Sequence, residues 1–242
     1  MIMTRTKAIV LKTVKYGESS LIVDMLTEAM GRVSFMVKLS ASKKGKMRKH
    51  FFQPLHILEI DFDFRANASL QRIRDIRLSV PLCSLPFDHY KLSIALFVSE
   101  FVYHATRGEQ TNLLLYKYVE SSILWLDGVK DGFANFHLVF MIRVSRFIGF
   151  LPNTEEYHDG DYFDMVNGCF CVSVPSHGHY LQPAEASKIG LLMRLGYPTM
   201  HLCAMSREER NRCTEVILEY YRLHVPGFPE LRSYPILKQL FQ

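Results

Sequence analysis

The stretch Gly31-Arg32-Val33-Ser34-Phe35-Met36-Val37-Lys38-Leu39 decides the fold. Val33, Phe35, Val37 and Leu39 alternate with Arg32, Ser34, Met36 and Lys38. That is the period of a strand with one face in a core and the other in water. Toward the N-terminus, 21–26 reads as a second strand, and Thr27-Glu28-Ala29-Met30-Gly31 closes a hairpin. Gly17-Glu18-Ser19-Ser20 is a turn, and before it lies a first strand over 5–16, centred on Ala8-Ile9-Val10-Leu11. Toward the C-terminus, a fourth strand over about 55–64 puts Leu58, Ile60, Phe62 and Phe64 on one face and Glu59, Asp61 and Asp63 on the other. A fifth, over about 69–78, places Arg72 and Arg74 on a common face. Five antiparallel strands with a long connection between the third and fourth predict a closed five-stranded barrel of the OB type.

Charge is segregated along the chain. Residues 1–80 hold fifteen Lys or Arg against seven Asp or Glu, a balance of +8, while the remainder stands at −3. A surface of one sign attracts a polyanion, and phosphate contacts supply most non-specific affinity for nucleic acid. The segment 40–50 has no apolar period and carries Lys43, Lys44, Lys46, Arg48 and Lys49. Five cations in seven residues repel one another, whereas a phosphate backbone would gain from them; the plainer reading is a solvated loop. Lys12, Lys15, Arg32, Lys38, Arg72 and Arg74 lie on the polar sides of their strands and complete a candidate groove. Tyr16, Phe51 and Phe52 are candidate platforms for base stacking, whereas Phe35, Phe62 and Phe64 alternate as core.

After Pro86 the period becomes helical, with segments from about 86, from Asn112 to Gly128, over 133–147, 184–195 and 206–223. Ser206 and Glu209 stand at the spacing of a capping box. Residues 153–182 break this pattern as an insertion with a short hairpin. The chain is therefore expected to be α+β, with an OB-fold barrel over 1–80 and an α-helical domain over 81–242. No stretch approaches the roughly 18 apolar residues of a membrane span, and five Cys suit a reducing compartment better than a disulfide framework. A soluble, cytoplasmic protein is expected.

Catalytic patterns are lacking. There is no GxxxxGK[ST], GxGxxG, GxSxG or HExxH. The acidic pairs at 155–156 and 159–161 read as a solvated loop, so a hydrolase is the weakest alternative and no enzyme is expected. Cys169, Cys171, His177 and His179 could supply four zinc ligands, but each pair is separated by one residue where two to four is usual between Cys ligands. No cofactor is expected.

Several phrases together resemble the RecO family of bacterial recombination mediators. They are Ala8-Ile9-Val10-Leu11, Tyr16-Gly17-Glu18-Ser19-Ser20-Leu21, Leu26-Thr27-Glu28, Gly31-Arg32, the basic loop, Phe147-Ile148-Gly149-Phe150-Leu151-Pro152 and Leu231-Arg232-Ser233. The resemblance implies an OB-fold followed by a helical domain, binding of single- and double-stranded DNA, and annealing of complementary strands. It also implies partnership with RecR and with the tail of the single-strand-binding protein, help in loading RecA, and a nucleoid-associated location. Many members carry a zinc site of two Cys pairs; here 152–161 contains no Cys, so the first pair has no counterpart. On the helix over 133–147, Arg143 and Arg146 stand beside Phe140, Phe147 and Phe150, an arrangement suited to an acidic, aromatic peptide tail. An RNA-binding OB protein and a non-catalytic interaction scaffold remain as alternatives.

Overall fold

The computed structural model describes residues 2–40, 47–108 and 110–240. Five antiparallel strands form one sheet in the order β3-β2-β1-β4-β5: β1 (Ile2–Tyr16), β2 (Ser20–Thr27), β3 (Gly31–Lys38), β4 (Ile57–Phe64) and β5 (Arg72–Leu78). β1 is long because it serves two partners. Its first half pairs with β4 and its second with β2, and a register shift between Val10 and Lys12 separates the two uses. Such a bulge bends and twists a strand, which curls the sheet.

The predicted alternation is realised. Ala8, Val10, Val23, Met25, Phe35, Leu58, Ile60 and Phe62 fill the concave side, and the Phe35 and Phe62 rings meet edge to face at 5.1 Å. The unbroken run Ala8-Ile9-Val10-Leu11 is buried throughout. Ala8 and Val10 point into the barrel core, while Ile9, opposite Leu26, lies on the face toward the helices. A strand buried on both sides loses the alternation that an exposed one shows. At the start of β4, Leu55 takes φ 62°. It is pinned there by its N–H donating to Val10 O at 2.8 Å and by Val10 N–H donating to His56 O at 3.0 Å.

The predicted closure is incomplete. The edges β3 and β5 join at one parallel bridge, Phe35 to Gln71, where Gln71 N–H donates to Ser34 O and Met36 N–H to Gln71 O, each at 2.9 Å. Gln71 immediately precedes β5, whose residues are committed to β4, so the two edges diverge beyond it. The Gln71 side chain is used as well: its Oε1 accepts from Arg65 N–H at 2.9 Å, and its Nε2 donates to Arg65 O at 3.0 Å and Ala68 O at 2.8 Å. One residue thus holds both the seam and the turn before β5.

Two helices belong with this sheet. α1 (His89–Ala105) is capped by Asp88, which accepts from the N–H groups of Tyr90 and Lys91. α2 (Leu113–Gly128) is capped by Asn112, whose Oδ1 accepts from Leu115 N–H at 2.9 Å. Asp127, near the end of α2, accepts from the N–H groups of Cys83, Ser84 and Leu85 and so fastens the connector between sheet and helices. Gly31 opens β3 at φ 64°, a left-handed conformation that strains any residue with a Cβ, and a Cβ there would touch the backbone of Thr111 at 3.4 Å. Packing groups Met1–Gly128 with Leu231–Leu237 as one compact unit. The change of period near residue 80 therefore marks the end of the sheet, while the compact unit continues through α2.

The second unit comprises Val129–Glu230 and the residues from Lys238 on. It contains α3 (Phe136–Phe147), α4 (Pro183–Arg194) and α5 (Arg207–His224), the last opened by a capping box of Ser206 and Glu209. The insertion holds three strands, not a bare hairpin: β6 (Tyr162–Asp164), β7 (Cys169–Cys171) and β8 (Tyr180–Leu181), in the order β7-β6-β8. β8 is two residues long, too short to show a period. The turn between β6 and β7 is fixed by Asp164, whose Oδ1 accepts from Val166 and Asn167 N–H. Phe163, Met165, Phe170, Ile189, Val216 and Tyr220 form the local core. One further turn, α6 (Tyr234–Leu237), lies in the C-terminal segment that belongs to the first unit.

Candidate nucleic-acid interface

The cations of the first eighty residues fall into three environments. On the outer face of β1, β4 and β5, acids and arginines pair across strands. Arg5 donates to Asp61 at 2.9 Å, Arg74 to Asp63 at 2.5 Å, and Arg77 to Glu59. Arg74, expected in the groove, therefore has its anion within the protein, the Asp63 that stands opposite Arg72 in the β4–β5 register. Attraction to Glu59 holds the Arg77 guanidinium above its ordinary pKa.

A second group lies beneath the helices. Lys7 donates to Glu120 at 2.9 Å. Arg32 is half-buried, donates to Tyr103 O at 2.6 Å and has its guanidinium 4.8 Å from the Tyr103 ring centroid, while Lys12 stands 4.6 Å from the same centroid. Arg32 is committed to α1 rather than to a groove.

The third group gathers where β3 and β5 separate. The cross-strand row Tyr16–Ser20–Lys38 shares one face, and Tyr16 is 57% exposed. Lys15, paired with Leu21 and through it with Val37, stands at the same end of the sheet. Across the seam, Arg72 opens β5. Ser20, Met36, Val37, Lys38, Met47, Arg72 and Ile73 line a cleft of about 460 Å³ between these elements. Arg65 is exposed at the turn that Gln71 holds. Arg48 and Lys49 are exposed at the 3-10 turn Lys49–Phe52, while Lys43, Lys44 and Lys46 lie outside the described residues. Of the three aromatic candidates, Phe52 is buried in the barrel core, Phe51 is half-buried against it with its ring 4.5 Å from that of His50, and Tyr16 stands in the open.

Lys38 and Arg72 are thus brought together although 34 positions apart, and Lys12, Arg32 and Arg74 are drawn away. The sequence reading missed Met36, Met47, Ile73 and Arg65. Met36 carried a usable signal, being an apolar residue on the polar side of an otherwise regular alternation.

In the second unit, Phe140 is fully buried, its ring 5.9 Å from that of Phe136. The Phe150 ring is enclosed by Tyr220, Tyr221 and His224, stacking on the last at 5.0 Å. Phe140 is thus committed to the core, and Phe150 is half-buried against it. Arg143 and Arg146 are exposed, Arg143 donating to Leu195 O at 2.9 Å, and Phe147 is half-buried. His177 meets Asp164 at 3.2 Å and His179 meets Glu219 at 3.6 Å. Burial pushes the Cys169 and Cys171 thiols up. No group of three or more His, Cys, Asp or Glu among the described residues is placed to hold a metal ion. The cleft at Asn135, His201, Cys203, Ser206 and Arg210, about 330 Å³, has Arg210 donating to Asn135 Oδ1 and Met205 O.

The first unit has the strand order of an OB-type, partly open barrel, and the comparisons extend that class to a family. The N-terminal family profile of recombination protein O matches residues 1–81, and the C-terminal profile matches residues 86–234. Relatives named DNA repair protein RecO include one from Bacteroides fragilis, 50% identical over 238 residues, and one from Phocaeicola vulgatus, 49% identical over 237, each alignment covering 98% of both chains. Another, from Flavobacterium psychrophilum, is 32% identical over 242 residues, again with 98% of each chain covered. The chain belongs to the recombination protein O family. No helix among the described residues is long and apolar enough to cross a membrane.

Proposed function

We propose that the protein is a non-enzymatic DNA-repair mediator that binds single- and double-stranded DNA through the first unit and promotes annealing of complementary strands. The observation that carries this reading is the convergence of Lys38 and Arg72 on the cleft where the sheet stays open, with Tyr16 in the cross-strand row of Ser20 and Lys38. Cations tied to carboxylates gain little from a phosphate, whereas cations at an open cleft release counterions when a phosphate neutralises them. An exposed Tyr at the same end offers a ring for a base. Annealing requires no bond-making: holding two strands together raises their local concentration and screens their repulsion. On the strength of family membership, the proposal extends to action with RecR in loading RecA on DNA covered by single-strand-binding protein, whose acidic tail would meet exposed Arg143 and Arg146. It also extends to a cytoplasmic, nucleoid-associated location and to action without a cofactor.

The test is fluorescence anisotropy of the full chain with labelled single-stranded DNA over a range of salt. The wild type is expected to lose affinity steeply with salt. The double variant Lys38→Glu/Arg72→Glu should weaken binding and flatten the log–log slope by about 1.4, two phosphate contacts at about 0.7 each. Arg77→Gln, on the paired outer face, should leave the slope unchanged. A wild-type slope near zero overturns the reading.

A further inference from the structure

Beyond their single bridge at Phe35 and Gln71, β3 and β5 run in the same direction and separate. The opening lies between residues 36–38 of one strand and 72–73 of the other. Its volume, about 460 Å³, falls in the range of small-ligand sites. Its lining is divided by chemistry: Met36, Met47 and Ile73 are apolar, while Lys38 and Arg72 are cationic. Met36 sits on the face of β3 that otherwise carries Arg32, Ser34 and Lys38, so core packing does not account for it. An apolar slot with cations of one sign at its rim matches a ligand that is flat and aromatic at one end and anionic at the other.

We propose that this seam takes an unstacked nucleobase of a bound DNA strand between Met36, Met47 and Ile73, while Lys38 and Arg72 hold the phosphates on either side of it. The proposal rests on the DNA-binding reading above. Thioether side chains adapt their shape and make favourable contacts with aromatic rings. Every base has a π-face, so such a slot accepts all four with little preference. It lets the protein favour single strands without reading sequence, because a base within a duplex is stacked and paired.

The full chain is titrated with a labelled oligonucleotide and with one of equal length whose central positions are abasic, each at several salt concentrations. The expected result is at least tenfold weaker binding of the abasic strand with the same salt slope, and a Met36→Ala variant that no longer distinguishes the two. Wild-type protein is also photo-crosslinked to an oligonucleotide carrying 5-iododeoxyuridine, which decides the matter even if the variant does not fold. Adducts on residues 36–38, 47 or 72–73 support the slot, and adducts confined to other residues overturn it. Equal affinity for both strands with a steep slope overturns the slot and leaves the phosphate contacts standing. A flat slope for both strands removes the DNA-binding reading itself.

Discussion

Gln71 and Asp127 each secure backbone that no ladder reaches. Gln71, 4% exposed, gives its side chain to three hydrogen bonds within the turn and its backbone to the seam. Gln71→Ala removes three side-chain hydrogen bonds from this partly exposed turn, at a cost of about 2 kcal/mol. Gln71→Glu keeps the acceptor and loses both donors, so its urea midpoint should also fall below that of the wild type. Asp127 carries a pH signature. Burial raises its pKa, but the amides of Cys83, Leu85 and Ser84, with Lys91 nearby, outweigh burial and hold it below the usual carboxylate value. A carboxyl whose folded pKa is depressed contributes stability that is full above its unfolded pKa, about 3.9, and is lost as pH falls through the folded value. Urea midpoints measured between pH 5 and pH 2 should therefore fall more steeply for the wild type than for Asp127→Asn. Equal slopes would refute this role.

At the scale of elements, α2 is held to the sheet by a network of charges. Glu120, largely buried, accepts from Lys7 at 2.9 Å and stands 3.5 Å from Lys117, which pairs with Glu28 at 2.6 Å. The hydrogen bond to Glu28 is the main reason the Lys117 ammonium is held above its ordinary pKa. Glu120→Gln leaves Lys7 facing a neutral amide while Lys117 keeps Glu28, at an expected cost of about 1 kcal/mol, a value typical of partly exposed pairs. Salt should lower the wild type's urea midpoint more than the variant's, since the network is screened. The strands that make this network possible were legible because alternation is a local property: Leu58, Ile60 and Phe62 against Glu59, Asp61 and Asp63 needed no partner to be read. The partners were not legible. Asp63 is 11 residues before Arg74, and Tyr103 is 71 residues after Arg32, and no local pattern marks pairing across such separations.

For the whole molecule, the compact unit that holds the sheet runs on through α2, past the change of period. Ile9 and Leu26 are buried on the face toward the helices, and Glu100 of α1 accepts from Arg232 N–H and Ser233 N–H in the segment before α6. A fragment of residues 1–80 would expose Ile9 and Leu26, so it should bind a hydrophobic dye and unfold at lower urea than a fragment of residues 1–128. Similar midpoints for the two would show that the barrel needs no helical cover.

The residues by themselves determined the five strands of the first sheet, most helices, the capping box at Ser206, and the concentration of cations at the N-terminal end, because periodicity, capping and composition are written within a few positions of one another. They also carried the family, whose phrases are short and contiguous. Only the tertiary structure decided which cations are neutralised by carboxylates, which are taken by Tyr103 and which stand at an open seam. The physical reason is that a charge's availability depends on what the fold sets within a few ångströms of it, and Lys38 and Arg72 become neighbours only when the sheet curls until its two edges nearly meet.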